Sequence, residues 1–248
     1  IHAEVLQNIA PSLCHEGISE AALGGEIYTE LVRRGSMGIS RFNQPLGEDV
    51  AGLVAFSENA LRTTAFDGPG GTAGTCTAMQ GIGSSTRTLR KNDLIFLDIP
   101  AGREGYHTDK SIVFHMGPLS ANPKGAHIRA AYDYCLAMER EIAARLAPGA
   151  VPETVYHDIL SNLDPAYAEG FMNGGKFLGH SIGLMMDEPP VLAHGFREPI
   201  RAGMTFAVEP KIALPGIGLV GTENTYLVRE NGAAEPMNGG PQELLEIL

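Results

Sequence analysis

Leu94-Ile-Phe-Leu-Asp98 and Tyr106-His-Thr-Asp109-Lys-Ser-Ile-Val-Phe114 are two apolar, strand-like runs, each carrying an aspartate. Between them lies Pro100-Ala-Gly-Arg-Glu-Gly105, a turn by composition: proline presets φ and glycine supplies the conformations a chain reversal needs. The two runs therefore read as an antiparallel hairpin. A turn centred between Arg103 and Glu104 sets Asp98 opposite Asp109. The pattern recurs downstream. Met204-Thr-Phe-Ala-Val-Glu209 and Glu223-Asn-Thr-Tyr-Leu-Val228 flank a turn with Gly216 midway between the two glutamates. Directly opposed side chains in an antiparallel pair have roots about 5 Å apart, so each hairpin presents two carboxylates to one small volume.

Carboxylates that close cannot all stay ionised without compensation. Most acids in a chain are solvated surface groups, but these lie within or at the ends of apolar runs, where an unpaired acid is costly. His180 lies in the glycine-rich segment Gly174-Gly-Lys-Phe-Leu-Gly-His-Ser-Ile-Gly183 and adds an imidazole. Two divalent ions would cancel the charge of the four acids, and paired metal sites roughly 3.5–4 Å apart need carboxylates that can bridge. Oxygen-rich donors with one imidazole suit Mn, Co, Fe or Zn. The expected metal ligands are thus Asp98, Asp109, His180, Glu209 and Glu223.

These residues resemble the methionine aminopeptidase/prolidase family of pita-bread metallohydrolases. Members carry the ligand order Asp, Asp, His, Glu, Glu, with the two aspartates eleven positions apart, as here. Gly179-His-Ser-Ile-Gly183 is similar to the family's histidine motif, and Val208-Glu-Pro210 and Gly221-Thr-Glu-Asn-Thr225 to its two glutamate motifs. The spacing between the glutamates matches the prolidase and aminopeptidase P branch. The resemblance covers nearly the whole chain. It implies an α+β, internally duplicated fold, a curved antiparallel sheet with helices outside, and cleavage of small peptides after an Xaa-Pro pattern. It also implies a water shared by two ions, with Asp109 and Glu223 bridging them and Glu209 as general base.

The surroundings of the cage depart from that pattern. A peptidase histidine expected seven positions after the ligand histidine is Asp187, and one expected eighteen before the first aspartate is Gln80. A histidine found in aminopeptidase P four positions before the ligand histidine is Lys176. Gln cannot transfer protons near neutrality, and Asp does so only with a raised pKa. Asp187 is read either as a partner for a substrate cation or as a turn cap before Pro189-Pro190. His107 shares strand parity with Asp109 and would face the same site. His194 is read as a pocket histidine or a surface one, and Lys176 as a substrate-carboxylate partner or an exposed lysine. The departures keep other readings open: a C–N hydrolase for small amides, similar to creatinase or ectoine hydrolase; a lyase on the same fold; or a binding module.

Bulk properties narrow the class. The 248 residues can bury one large core. A net charge of −11 argues against a nucleic-acid partner, and no apolar run reaches membrane-span length. Cys14, Cys76 and Cys135 are odd in number and scattered, favouring a reducing cytoplasm over a disulfide framework. The segment from Ile1 reads as already inside a helix, and relatives often carry an earlier domain, so an N-terminal domain before this single catalytic domain is expected. A homodimer is expected by the same analogy. Periodicity predicts helices at 2–15, 18–34, 124–146 and 152–164, and a strand at 51–57. Asp67-Gly-Pro-Gly-Gly-Thr-Ala-Gly-Thr75 lacks the Lys-Ser/Thr of a phosphate loop and reads as a flexible turn or a wall of the substrate pocket.

Overall fold

The computed structural model describes residues 1–43, 47–62, 68–74 and 82–248. A π-helical turn at Glu4–Ile9 runs into α1 (Ala10–Leu13), followed by α2 (Glu20–Arg33). The Ser19 side chain accepts the Ala22 N–H at 3.2 Å, satisfying one of the donors that a helix start leaves open. Short strands β1 (Ser40–Arg41) and β2 (Glu48–Asp49) form a ribbon, and β3 (Leu53–Phe56) leads towards the long hairpin β4 (Leu94–Arg103) and β5 (Tyr106–Met116). Then come α3 (Gly125–Arg145) and α4 (Pro152–Ser161), the latter with proline in its first turn, where a missing N–H is harmless. The second half holds β6 (Phe177–Ser181), β7 (Glu188–Ala193), β8 (Thr205–Val208), β9 (Lys211–Leu214), β10 (Gly218–Gly221), β11 (Asn224–Leu227), β12 (Glu235–Pro236) and β13 (Leu245–Ile247).

The main sheets are a four-stranded one in the order β13-β5-β4-β3 and a five-stranded one in the order β12-β11-β8-β6-β7, with β9 and β10 as a separate hairpin. All pairings are antiparallel except β13 with β5. The helix pair and carboxylate hairpin thus occur once in each half, the α+β arrangement expected.

Alternation along β4 explains where the core lies. Ile95, Leu97 and Ile99 pack with Leu23 and Ile27 of α2, whereas Leu94 and Phe96 pack with Ile128, Tyr132 and Val208 on the other face. A strand apolar on both faces is what a sheet covered on both sides requires. Asp98 belongs by parity to the Phe96 face, and Asp109 to the Val113 face that lies against it, so both acids point towards the second half of the chain.

The first hairpin closes one residue later than the composition suggests. Arg103 pairs with Tyr106, and the two turn residues, Glu104 (φ 56°) and Gly105 (φ 91°), are both left-handed. Two such residues give the turn whose twist matches that of the strands. Asp98 therefore faces Ser111, and Asp109 faces Pro100; the aspartates are diagonal neighbours on one face rather than a directly opposed pair. The second hairpin keeps the expected register. Leu214 pairs with Gly218 and Val208 with Asn224, which leaves Glu209 and Glu223 at facing positions where the ladder is interrupted.

Cys14 and Cys135 are buried free thiols, and Cys76 lies outside the described residues. Among the described residues no helix is long and apolar enough to cross a membrane. Phe96 is fully buried between β3 and α3. Phe96→Ala is expected to lower stability by roughly 3–5 kcal/mol, the loss seen when a buried aromatic is truncated, read from urea unfolding.

Candidate metal centre

The two hairpins meet edge to edge. Glu223 N–H donates to Ser111 O at 3.1 Å, Asp109 N–H donates to Thr225 Oγ1 at 2.9 Å, and the Thr225 hydroxyl returns a bond to Asp109 O at 3.1 Å. Glu209 N–H is likewise turned away from its hairpin partner and donates to Leu178 O at 3.0 Å. These bonds seat the four acids on one seam. β6 runs beside β8 with His180 opposite Ala207, and its register slips on either side of His180 against β7; such irregularities re-aim a side chain. Close approach of β6 and β8 depends on Gly179, where a Cβ would fall 2.1 Å from Ala207 O.

One ligand atom each from Asp109, His180 and Glu223 lie within 4.8 Å of one another. His180 Nδ1 is 3.1 Å from Ser181 O, a contact that orients the ring with Nε2 towards the acids. Nε2 in turn lies 3.5 Å from Glu209 Oε1. Asp98 joins from the far side, with Ser111 Oγ donating to its Oδ1 at 2.8 Å. All five expected ligands, together with Asp187, Phe42, Phe177, Met186, Val191 and Gly68, line one cavity of about 110 Å³.

The electrostatics explain why such a cluster calls for a cation. Burial first, then the Lys211 and Glu223 charges acting in opposite directions, set the Asp98 carboxyl at about 7. Burial and the neighbouring charges of Glu223, Asp98 and Glu209 hold Asp109 well above the carboxylate range. A hard oxygen set with one imidazole, short of positive charge, fits a divalent ion of the Mn, Co, Fe or Zn type.

Sequence reasoning missed Lys211. This fully buried lysine places Nζ 2.7 Å from Glu209 Oε2 and 3.0 Å from Glu223 Oε2. Burial alone would lower its pKa, but Glu209, Glu223 and Asp98 outweigh that and hold it well above its ordinary value. Its signal in the sequence is a lone lysine opening the apolar strand Lys211-Ile-Ala-Leu214 two positions after Glu209. Ser111 was also missed; it became a partner of Asp98 only through the shifted register.

The remaining expected residues divide. Asp187 is at the cavity wall, and its Oδ1 accepts Asn43 N–H at 2.9 Å, which ties the segment after β1 to the mouth of the site. Gly68 puts the glycine-rich loop at the same wall, which favours the pocket-wall reading. His107 keeps the parity of Asp109 but lines a different cavity, with its Nδ1 3.2 Å from Gly183 O. Lys176 is exposed and does not line the metal cavity. His194 is exposed on the turn after β7, where its Nδ1 lies 2.8 Å from Glu153 Oε1 and 3.2 Å from His157 Nε2. Glu153, His157 and His194 form a second trio with converging donor atoms, away from the cavity. Gln80 lies outside the described residues.

The sequence profile of metallopeptidase family M24 matches residues 1–230. A probable dipeptidase PepE of Mycobacterium bovis is 29% identical over 169 residues, which is 66% of this chain and 42% of that protein. A Xaa-Pro dipeptidase of Pyrococcus horikoshii is 28% identical over 151 residues, 60% of this chain and 41% of that protein. The chain thus spans about two fifths of the length of these relatives. Among solved structures, X-Pro aminopeptidase from Thermotoga maritima superposes with a TM-score of 0.77 at 18% identity, covering 98% of this chain and 60% of that one. That likeness is one of fold.

Two outcomes are expected of the cage. Gly179→Ala will push β6 from β8 and displace His180, weakening Co²⁺ affinity by about 10- to 100-fold, read by titration calorimetry. At about pH 6, metal uptake is expected to release protons, because the buried Asp98 carboxyl, raised to about 7, is largely protonated before a divalent charge arrives beside it, and affinity will fall further as pH drops. Calorimetry in two buffers of different ionisation enthalpy counts those protons.

Proposed function

Since the chain belongs to metallopeptidase family M24, we propose that it is a metal-dependent hydrolase that cleaves small peptides in the manner of a Xaa-Pro dipeptidase or aminopeptidase. The observation that carries this reading is the convergence of Asp109, His180 and Glu223 donor atoms, with Glu209 Oε1 beside His180, in one cavity with Asp187. A divalent ion held by these residues supplies Lewis acidity, which makes water acidic near neutral pH and polarises a carbonyl.

The chain's own groups supply the rest. Glu209 has one oxygen held by Lys211 and the other turned towards His180, so the carboxylate is aimed at the reacting volume as general base. His180 holds its ring orientation through Ser181 O. Asp187, at the cavity wall, would pair with a substrate ammonium and so select for a free amino terminus. Phe42, Phe177, Met186 and Val191 give the pocket apolar walls that suit a small side chain or a proline ring and exclude water from the amide. His107, Lys176 and His194 take no part in this reading. A cytoplasmic location and a homodimer belong to the same proposal.

A second reading, cleavage of a small non-peptide amide, is favoured by one feature: the carboxylate of Asp187 suits a guanidino-like cation as well as an amine.

The test is turnover of Xaa-Pro and Met-Xaa dipeptides by Mn²⁺- or Co²⁺-loaded protein, with Asp109→Asn as the blank. Xaa-Pro cleavage lost in the blank is the expected result; bound metal without peptide turnover would transfer the proposal to small amides. Asp187→Asn is expected to lower kcat/KM on free-amine substrates about tenfold, equivalent to roughly 1.4 kcal/mol, with a much smaller effect on N-acetylated ones.

A further inference from the structure

Lys211 changes how many ions the cage can take. Its Nζ is fully buried and lies 2.7 Å from Glu209 Oε2, 3.0 Å from Glu223 Oε2 and 4.0 Å from Asp98 Oδ2. The side chain has a built passage. Its cross-strand partner is Gly221, where a Cβ would stand 2.7 Å from Lys211 Cγ, so only glycine leaves room for the lysine to reach inward. Ser111 completes this half of the site: its hydroxyl lies 2.8 Å from Asp98 Oδ1 and 2.5 Å from Glu223 Oε2. Asp98, Glu223 Oε2 and Glu209 Oε2 are therefore already engaged by an ammonium and a hydroxyl.

The other half is open to a metal. Asp109 has Oδ1 held by Lys110 N–H at 2.8 Å, which orients the carboxylate, and His180 has Nδ1 fixed by Ser181 O. Donor atoms of Asp109, His180 and Glu223 converge there, and Glu209 Oε1 is 3.5 Å from His180 Nε2. A second divalent ion bound between Asp98 and the outer oxygen of Glu223 would have to displace the ammonium or lie beside it, and like charges that close in a dry site repel strongly.

Resting on the reading of this cage as a metal centre, we infer that the protein binds one divalent ion, on the His180 side, and that the Lys211 ammonium occupies the place of the second. Lys211 is then a positioning residue. It holds Glu209 and Glu223 by their outer oxygens, so that each offers one oxygen to the ion, and Asp98 serves as a counter-charge to the lysine rather than as a ligand. The pairing of charges differs from the two-ion count that the four carboxylates alone imply, because that count leaves out the buried lysine.

The experiment is metal stoichiometry, measured by native mass spectrometry and elemental analysis after saturation with Mn²⁺ and removal of excess. It is done in a His194→Ala background, which removes the exposed Glu153–His157–His194 trio as a second source of bound metal. One ion per chain, with the paramagnetic resonance of an isolated Mn²⁺, is expected. Lys211→Met is expected to take up a second ion and to show the exchange-coupled spectrum of a pair. Two ions in the parent, or a folded Lys211→Met protein that still takes one, would overturn the inference while leaving the metal-centre reading intact. No bound ion at all would sink both. If Lys211→Met does not fold, the parent's stoichiometry and spectrum decide the question alone.

Discussion

Carboxylates repel one another most where water is absent, and here Asp98, Asp109, Glu209 and Glu223 share a single buried seam. An isolated buried charge of this kind would simply protonate or unfold the site. The chain answers with positive charge and hydrogen-bond donors brought from several elements. Lys211 reaches in from β9, the Ser111 hydroxyl lies between Asp98 and Glu223, and Lys110 N–H donates to Asp109. Beside this arrangement the donor atoms of Asp109, His180 and Glu223 converge as a candidate seat for a divalent ion.

A second polar layer behind the cage keeps its strands in place. Buried Glu139 of α3 accepts from Asn224 Nδ2 and from the Tyr226 hydroxyl, each at 2.7 Å, and Asn224 Oδ1 accepts from Lys110 Nζ. The chain therefore links α3, β11 and β5 by polar contacts that converge on Glu139 Oε1 and the Asn224 amide, next to Asp109 and Glu223. Paired buried groups of this kind stiffen a site because each would be costly to leave alone. The apolar faces of β4 and β5 do the remaining work, packing against helices on both sides so that the aspartates have no freedom to turn towards solvent.

The mouth of the site is built differently from its floor. Asp187, tied to Asn43, and Gly68 of the glycine-rich loop form walls that come from segments outside the central hairpins. A floor built by the central hairpins under a rim from other segments lets the two vary separately: function follows the grafted site rather than the scaffold. Here the rim offers the Asp187 carboxylate where the resemblance implied a histidine, beside a cavity of about 110 Å³.

Much of this was legible in the residue order. Two apolar runs broken by turns, each bearing an acid, specify antiparallel hairpins, and hydrophobic periodicity marks the helix pairs, because both signals are local and repeat with the geometry of the backbone. Glu209 and Glu223 face each other as their spacing about Gly216 requires. The residue order also grouped four acids and a histidine, since an unpaired acid in an apolar run is costly, and the five do line one cavity. Tertiary structure decided the rest. The exact pairing of Asp98 depended on a two-residue turn at Glu104-Gly105, whose left-handed φ values composition did not distinguish from a turn one residue earlier. His194 and Lys176 share the neighbourhood of the ligand histidine in sequence but not the cavity, because β6 and β7 carry them to the surface. Lys211 became part of the charge balance only because Gly221, ten positions away and on the paired strand, leaves space for its side chain. Proximity along the chain identifies which groups can act; which charges meet is settled by packing between strands, where a missing Cβ or a shifted register moves an ammonium or a hydroxyl by the few ångströms that electrostatics depends on.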